Sequence, residues 1–493
     1  MSNTFTSGSV GHADGTGTRG RAVDWDSLRR HLRGDLILPS DPRYAHAREL
    51  AIGQFDAINP RAVAYCTTEQ DVQAVIAFAQ DKSLHTVPRS GGHSFGGYST
   101  TEGVVLDVSR LNHVRIKGPN VVVGAGAQQV DVLNTLTPHG LVLAGGTCPT
   151  VCVGGFVQGG GVGWQTRKFG LASDRMVGAT VVLANGHVVR ASAEEHPDLF
   201  WALRGNGGGN YGVVTSYELK PVHVSTMVNY MVAWPWEAAK QLIEQWQPWA
   251  IGSPDDLAAY LIAMNPDAGT GPPQLFIYGA WYRGVEELDR HLDTLVGMVG
   301  VSPVHRMVAE KPVYDAIMEF YGCGELSTDQ CHRVGYSPEA QMPRDNFYRT
   351  RNRMFGGPVP TPNVDRLLET FTESGRTGQF RMLYFETLGG AANGPARTDT
   401  AYVHRTTEML TGYTVSLTNP DYTAEDAAAC EEWLADGFRV LDRDSLRESY
   451  QNYMDPALPD WRQAYYAENY PRLVQIKRKY DPHRFFHFAQ SIG

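Results

Sequence analysis

The stretch Gly145–Gly146–Thr147–Cys148–Pro149–Thr150–Val151–Cys152–Val153–Gly154–Gly155–Phe156–Val157–Gln158–Gly159–Gly160–Gly161–Val162–Gly163 holds eight glycines in 19 residues. No regular helix or strand is built at that density, because glycine gives up the most backbone freedom on ordering. Such a run marks backbone in left-handed dihedrals or pressed against something large. Two more loops share the texture: Arg89–Ser90–Gly91–Gly92–His93–Ser94–Phe95–Gly96–Gly97 and Gly205–Asn206–Gly207–Gly208–Gly209–Asn210–Tyr211–Gly212. They hold much of the one compositional anomaly, 52 glycines in 493 residues, where about 7% is usual.

The remaining composition is that of a folded protein: 42% hydrophobic, 19% charged and 10% aromatic. Disorder, fibre and coiled coil are excluded for the chain as a whole. A net charge of −10 without a long basic run makes nucleic acid a poor partner. No apolar run reaches transmembrane length, so no membrane partner is expected. The first twenty residues include twelve Gly, Ser or Thr and no apolar core, so residues 1–22 read as a disordered tail and not a secretory signal. Six cysteines are too sparse for a disulfide scaffold. These features predict a cytoplasmic enzyme.

Texture divides the chain further. Residues 23–221 alternate short β-branched runs (His85–Val87, Val104–Val108, Val121–Gly124, Ala179–Ala184, Val213–Leu219) with short helices. One helix is announced by a capping-box pattern at Thr67 and Gln70, followed by Val72, Val75, Ile76 and Ala79 at helical spacing. Residues 222–443 are poorer in glycine. Helical patches at Trp236–Trp249, Glu286–Val299, Asn363–Ser374 and Ala424–Phe438 alternate there with strands such as Gln274–Trp281 and Arg381–Glu386. The expected fold is α+β and two-lobed, the second lobe an antiparallel sheet covered by helices. Residues 444–493 form a Tyr- and Asn-rich tail.

Tight turns explain one glycine loop; three imply contact with a large ligand. Successive N–H groups free of side chains suit a diphosphate. Two motif matches in these loops mislead. Gly207-x-Gly209-x-x-Gly212 fits the dinucleotide fingerprint, but a helix-like segment precedes it and a strand follows, the reverse of a Rossmann site. Gly92–His93–Ser94–Phe95–Gly96 fits the nucleophile elbow of a serine hydrolase, yet leads to more glycine instead of a helix. Serine hydrolysis stays the alternative from a different class.

Pro88–Arg89–Ser90–Gly91–Gly92–His93–Ser94, Gly146–Thr147–Cys148–Pro149–Thr150–Val151, Tyr450–Gln451–Asn452–Tyr453 and Tyr465–Tyr466–Ala467–Glu468–Asn469–Tyr470–Pro471 together resemble the berberine-bridge-enzyme-like FAD oxidases, with their PCMH-type FAD-binding domain. The resemblance implies FAD bound covalently twice, through His93 to the 8α-methyl and through Cys148 to C6 of the flavin. An imidazole and a thiolate are suitable nucleophiles for an electron-poor ring. Cys152 stands where many relatives carry glycine, leaving a second thiol near the flavin edge. Also by resemblance, the backbone of Arg89, Ser90, Gly91, Gly92 and His93 holds the diphosphate, and Ser94 is a further cofactor-binding residue. Gly154, Gly155, Gly159 and Gly160, with Gly208, Asn210, Gly212 and Val214, line ribose and adenine. Asn452 and Asn469 contact the flavin, which folds residues 444–493 back onto the first lobe. Val151 permits oxygen access.

The implied reaction is oxidation of a hydroxyl by hydride transfer to flavin N5, with reoxidation by O₂ to H₂O₂. A phenol of pKa ~10 needs help to act as base at neutral pH. Tyr453 is the first candidate and Tyr450 the second. Tyr413, Tyr384 and Glu386 occupy strands of the kind that line the substrate pocket in relatives, and Glu386 is an alternative base. The expected substrate is a small molecule: a sugar, a glycoside or a polycyclic metabolite. Oxidation of an amine or N-methyl group with C–C bond formation is the alternative within the family. Trp234, Trp236, Trp246 and Trp249 offer either sugar stacking or core packing. No metal is expected.

Overall fold

The computed structural model describes residues 23–493; the tail expected over residues 1–22 lies outside the described residues. The fold is α+β, as the texture predicted, with three substantial sheets. In the first, Ala62–Tyr65, Val104–Asp107 and Thr86–Arg89 run parallel, and Leu36–Ile37 pairs antiparallel at one edge. The crossover is the helix Glu69–Asp81, which buries Val72, Val75, Ile76 and Ala79. Its capping box is one residue later than the sequence suggested: Thr68 caps and Asp71 reciprocates. The Asp71 carboxylate also accepts from Arg33 N and Thr67 N at 2.8 Å, a charge-assisted set that Gln70 would not match.

The second sheet is antiparallel, ordered Val114–Lys117, Asn120–Gly124, Val213–Leu219, Met176–Val182, Val188–Ser192. The third has seven antiparallel strands, ordered His305–Pro312, Thr226–Trp234, Gln274–Trp281, Leu257–Asn265, Gln379–Thr387, Met409–Leu417, Phe347–Phe355. Helices Ala239–Gly252, Val285–Val299, Thr361–Thr372 and Ala424–Asp442 cover one face. Strand alternation sends Leu383 and Phe385 into that helical core and Met382 and Tyr384 to the other face, toward the first lobe. Trp234, Trp246 and Trp249 are buried in the helical core with Trp236 packed on it, so all four serve packing.

The C-terminal residues close the first lobe. Trp461, Tyr465, Tyr466, Leu473, Ile476 and Tyr480 share a core with the first two sheets. Buried Lys477 ties this tail to the third glycine loop, donating to Asn210 O, Asp481 and Phe486 O. Cys323 and Cys331 form a disulfide, which their spacing had not announced; Cys66, Cys148, Cys152 and Cys430 are free. No helix among the described residues is long and apolar enough to cross a membrane.

Candidate functional site

The three glycine loops and the Tyr450–Tyr453 segment line one cavity of about 600 Å³ between the lobes, within the range of ligand-binding clefts. Arg89, at the end of its parallel strand, is buried and held by Asp107 at 2.5 Å and Ala47 O at 2.7 Å. Removing either partner of such a pair costs about 3–5 kcal/mol. The chain then turns through Ser90–Ser94, all on the cavity wall. Gly91 leaves little room for a side chain, because a Cβ would stand 3.0 Å from both N and Sγ of Cys152.

His93 and Cys148 meet at Thr150, a residue the sequence reading did not single out. His93 Nε2 lies 2.8 Å from Thr150 Oγ1, and Cys148 Sγ lies 3.7 Å from the same oxygen. His93 Nδ1 has no partner among the described residues. Burial, with the nearby Arg333 charge, pushes the His93 pKa down to about 4, so the imidazole is neutral at physiological pH. Burial raises the Cys148 thiol, opposed by hydrogen bonds from Thr150 and the Val151 N–H. Cys152 sits deeper: its thiol donates to Gly126 O at 3.2 Å, and burial drives its pKa far up.

Beyond His93 and Cys148, an aromatic wall joins Phe95 to Tyr348 and Tyr453 at 4.9 and 5.5 Å between ring centroids. Tyr453 Oη has no hydrogen bond among the described residues, and Tyr453 lines the cavity. Tyr450 is buried 5.0 Å from the Tyr453 ring. Its oxygen accepts from Gly161 N and Val162 N at 3.0 Å and from Asn452 Nδ2 at 2.9 Å. The Asn452 amide is oriented by Phe156 O, 3.0 Å from the same nitrogen. Behind them Glu386 is buried, accepts from Tyr260 Oη, and has its pKa raised by burial to about 7.

Several expected contacts fall elsewhere. Tyr413 faces the opposite side of the sheet, packs on Trp433 and donates to Leu367 O at 2.8 Å, so it belongs to the helical core. Tyr384 and Glu386 are on the cavity side but lie behind its surface residues. Gly159 and Gly160 end the helix Val153–Gln158, where a Cβ would overlap the Asn452 carboxamide and the Tyr402 ring respectively. Asn210 turns inward to Asn206 O and Gly208 O, and Asn469 bonds Arg397 O and Thr400 O. These residues are compelled by chain-on-chain packing and do not line the cavity. Gly154, Gly155, Gly208, Gly212, Val151, Val214 and Asn452 do. Ser94 Oγ accepts from Tyr98 N in a turn, and no helix follows, so the hydrolase elbow is absent.

The donor set fits FAD. Gly207, Gly208 and Gly209 have φ of +83°, +85° and +68°, presenting bare backbone to the cavity. Arg89 Nη1 is buried beside the Gly91–Gly92 turn without a partner. Both are surroundings that a diphosphate completes.

Residues 60–192 match the family model for the FAD binding domain, and residues 449–493 match that for berberine and berberine-like proteins. The FAD-linked oxidoreductase YgaK of Bacillus subtilis is 27% identical over 474 residues, covering 94% of this chain and 97% of YgaK. The fold agrees with that of Physcomitrella patens BBE-like 1, with TM-score 0.85, 23% identity and coverage of 95% and 98% of the two chains. It agrees also with glucooligosaccharide oxidase from Acremonium strictum, whose FAD is 6-S-cysteinyl and 8α-N1-histidyl (TM-score 0.84, 23% identity, coverage 94% and 99%). With an FAD domain near one end, a berberine-type segment closing the other, and one fold along nearly its whole length, the chain is an FAD-linked oxidoreductase similar to the berberine-bridge-like enzymes.

Proposed function

We propose that this oxidoreductase is an oxidase that carries FAD on His93 and Cys148 and oxidises a hydroxyl of a sugar, glycoside or polycyclic metabolite, with O₂ as the final acceptor. The carrying observation is the convergence of a neutral imidazole and a thiol on Thr150, in the cavity that Tyr453 also lines. The doubly linked flavin of glucooligosaccharide oxidase supports the reading. Thr150 engages Nε2 of His93 and leaves Nδ1 as the nitrogen free to bond. Cys148 is favoured over Cys152, whose thiol is committed to Gly126 O. Acid-precipitated wild type is expected to stay yellow. Cys148→Ala is expected to change the flavin absorption spectrum and Cys152→Ala to leave it unaltered; the reverse pattern moves the bond to Cys152.

Bound FAD supplies the hydride acceptor. The chain supplies the proton acceptor and the enclosure. Tyr453 is the phenol that first meets a substrate hydroxyl, and burial together with Glu386 holds its pKa well above the ordinary value. A proton is then taken only as charge develops on the substrate, with Glu386 as the nearby carboxylate able to receive it. Tyr450 is the second candidate: burial raises its pKa, but the three N–H groups around its oxygen oppose that rise and would stabilise a phenolate.

Glu386 gives a pH prediction. Its folded value near 7 lies above the ordinary 4.5, so the folded state holds this proton more tightly. Stability therefore falls as pH rises from about 4.5 through 7, by about 3 kcal/mol at most. The rate rises over the upper part of that range as the carboxylate ionises. Glu386→Gln keeps an acceptor for Tyr260 and is expected to flatten both profiles. An unchanged acid limb in kcat against pH removes Glu386 from the proton path.

A further inference from the structure

After the helix Val313–Phe320 the chain leaves the second lobe, crosses to the cavity wall and returns as the strand Phe347–Phe355. Three ties make this crossing segment rigid. The Cys323–Cys331 disulfide closes its first turn. An isolated β-bridge joins Arg333 to Met342, with Val334 N donating to Met342 O and Met342 N to His332 O, both at 2.9 Å. His332 Nε2 lies 3.0 Å from Asp131 Oδ1 of the first lobe, and its ring stacks on Tyr336 at 4.3 Å. Arg333 is therefore carried into the cavity wall on a braced support, not on a loose loop.

Its side chain makes no ion pair and no hydrogen bond among the described residues. Most of the charges around it are already matched to others. Arg89 is taken by Asp107. Arg344 is taken by Asp56 at 2.7 Å and Glu49 at 3.2 Å, and Glu49 also meets His46 at 3.0 Å. Asp345 stands on the same wall, yet no ion pair joins it to Arg333. Burial, and then the Arg344 charge, press the Arg333 pKa below its ordinary value, so this cation lacks compensation. A partly buried, uncompensated guanidinium is costly to keep. Its planar fork matches the paired oxygens of phosphate or carboxylate.

We infer that Arg333 is a second anion-binding side chain of this cavity beside Arg89, completing itself on an oxyanion that is either a phosphate of the cofactor or an acidic group of the substrate. The inference rests on the oxidase reading for its second source, since only a substrate-holding cavity has a substrate anion to bind. An acidic sugar or an acidic aromatic is then preferred over its neutral counterpart.

The test uses the full-length holoprotein as wild type, Arg333→Gln and Arg333→Lys, with Arg333→Met in reserve if the glutamine form does not fold. Two quantities are read: FAD retained per chain, and calorimetric affinity for glucuronate against glucose and for benzoate against benzyl alcohol. If the substrate supplies the anion, wild type binds the acid of at least one pair tenfold or more tightly than the neutral partner. Arg333→Gln then loses that preference at unchanged FAD content, and Arg333→Lys keeps part of it. If the cofactor supplies the anion, Arg333→Gln loses FAD several-fold and the lysine form recovers it. A charge-removing variant equal to wild type in both readouts overturns the inference. Wild type without FAD would instead sink the oxidase reading, while the calorimetric comparison would still judge Arg333.

Discussion

Tyr453→Phe is expected to keep its flavin and to lose turnover by about 10²–10⁴-fold, the usual contribution of a positioned proton acceptor. The variant removes one oxygen from the cavity surface and breaks no hydrogen bond among the described residues, so its melting temperature should match wild type. Tyr450→Phe differs. It strips a shared acceptor from Gly161 N and Val162 N, and each buried unsatisfied N–H costs about 1–3 kcal/mol. Tyr450→Phe should therefore melt lower, whatever its activity. The measurements are anaerobic flavin bleaching by substrate, which isolates the reductive step, and thermal denaturation of both variants. Full bleaching rates in Tyr453→Phe, with a collapse in Tyr450→Phe beyond what its melting explains, would assign the proton to Tyr450.

Gly205→Ala should abolish the folded, flavin-loaded protein. Gly205 sits at φ +131°, outside the range L side chains readily adopt, and a Cβ there would overlap the backbone nitrogen and Cα of Tyr402. Neither neighbour can yield. Gly205 N donates to Gln158 O at 2.9 Å, and Gly205 O accepts from Gln451 Nε2 at 2.9 Å, so the residue is gripped on both sides. Gln451 is in turn placed by His404, 3.0 Å from its Oε1, and His404 by Glu448 at 2.7 Å. A backbone clash in so constrained a place costs above about 4 kcal/mol, a large share of a domain's stability. Gly118→Ala is the control: φ is +58° and nothing lies within 4 Å, so only about 1 kcal/mol is lost. Comparable melting of the two variants would show that the Gly205–Tyr402 approach is not rigid.

The parts legible in the sequence were those whose chemistry is local. Left-handed dihedrals and close approach of backbone both favour glycine, so the loops at residues 89–97, 145–163 and 205–212 announced themselves. His93, Cys148 and Tyr450–Tyr453 stand within or beside motifs, and each lines the cavity. Local periodicity also placed Val213–Leu219 and Gln274–Trp281 at their observed bounds. The strand Phe347–Phe355 was opaque for a physical reason. Arg349, Arg351 and Arg353 alternate as on an exposed strand, but Glu431 and Asp442 of the covering helix pair with them, so the strand is buried.

Other decisions were long-range. Tyr413 and Tyr384 are both tyrosines on neighbouring strands, yet the register pairs Leu383 with Tyr413 and Tyr384 with Gly412, setting the two phenols on opposite faces. A one-residue step reverses a strand's face, and no local pattern in a sheet buried on both sides records which way it falls. Asn469 and Gly159 read as ligand contacts because they lie in ligand-binding motifs, but in the fold they serve the backbone of residues 397–401 and the amide of Asn452. Thr150 became the meeting point of His93 and Cys148, 57 residues apart from the first and two from the second, only through the docking of two loops. The sequence by itself therefore determined the glycine loops and the nucleophiles that line the cavity, because dihedral freedom and nucleophilicity belong to single residues. Tertiary structure alone decided which aromatic faces the cavity and which cation is left to meet an anion there, because facing and compensation belong to pairs of residues distant in the chain.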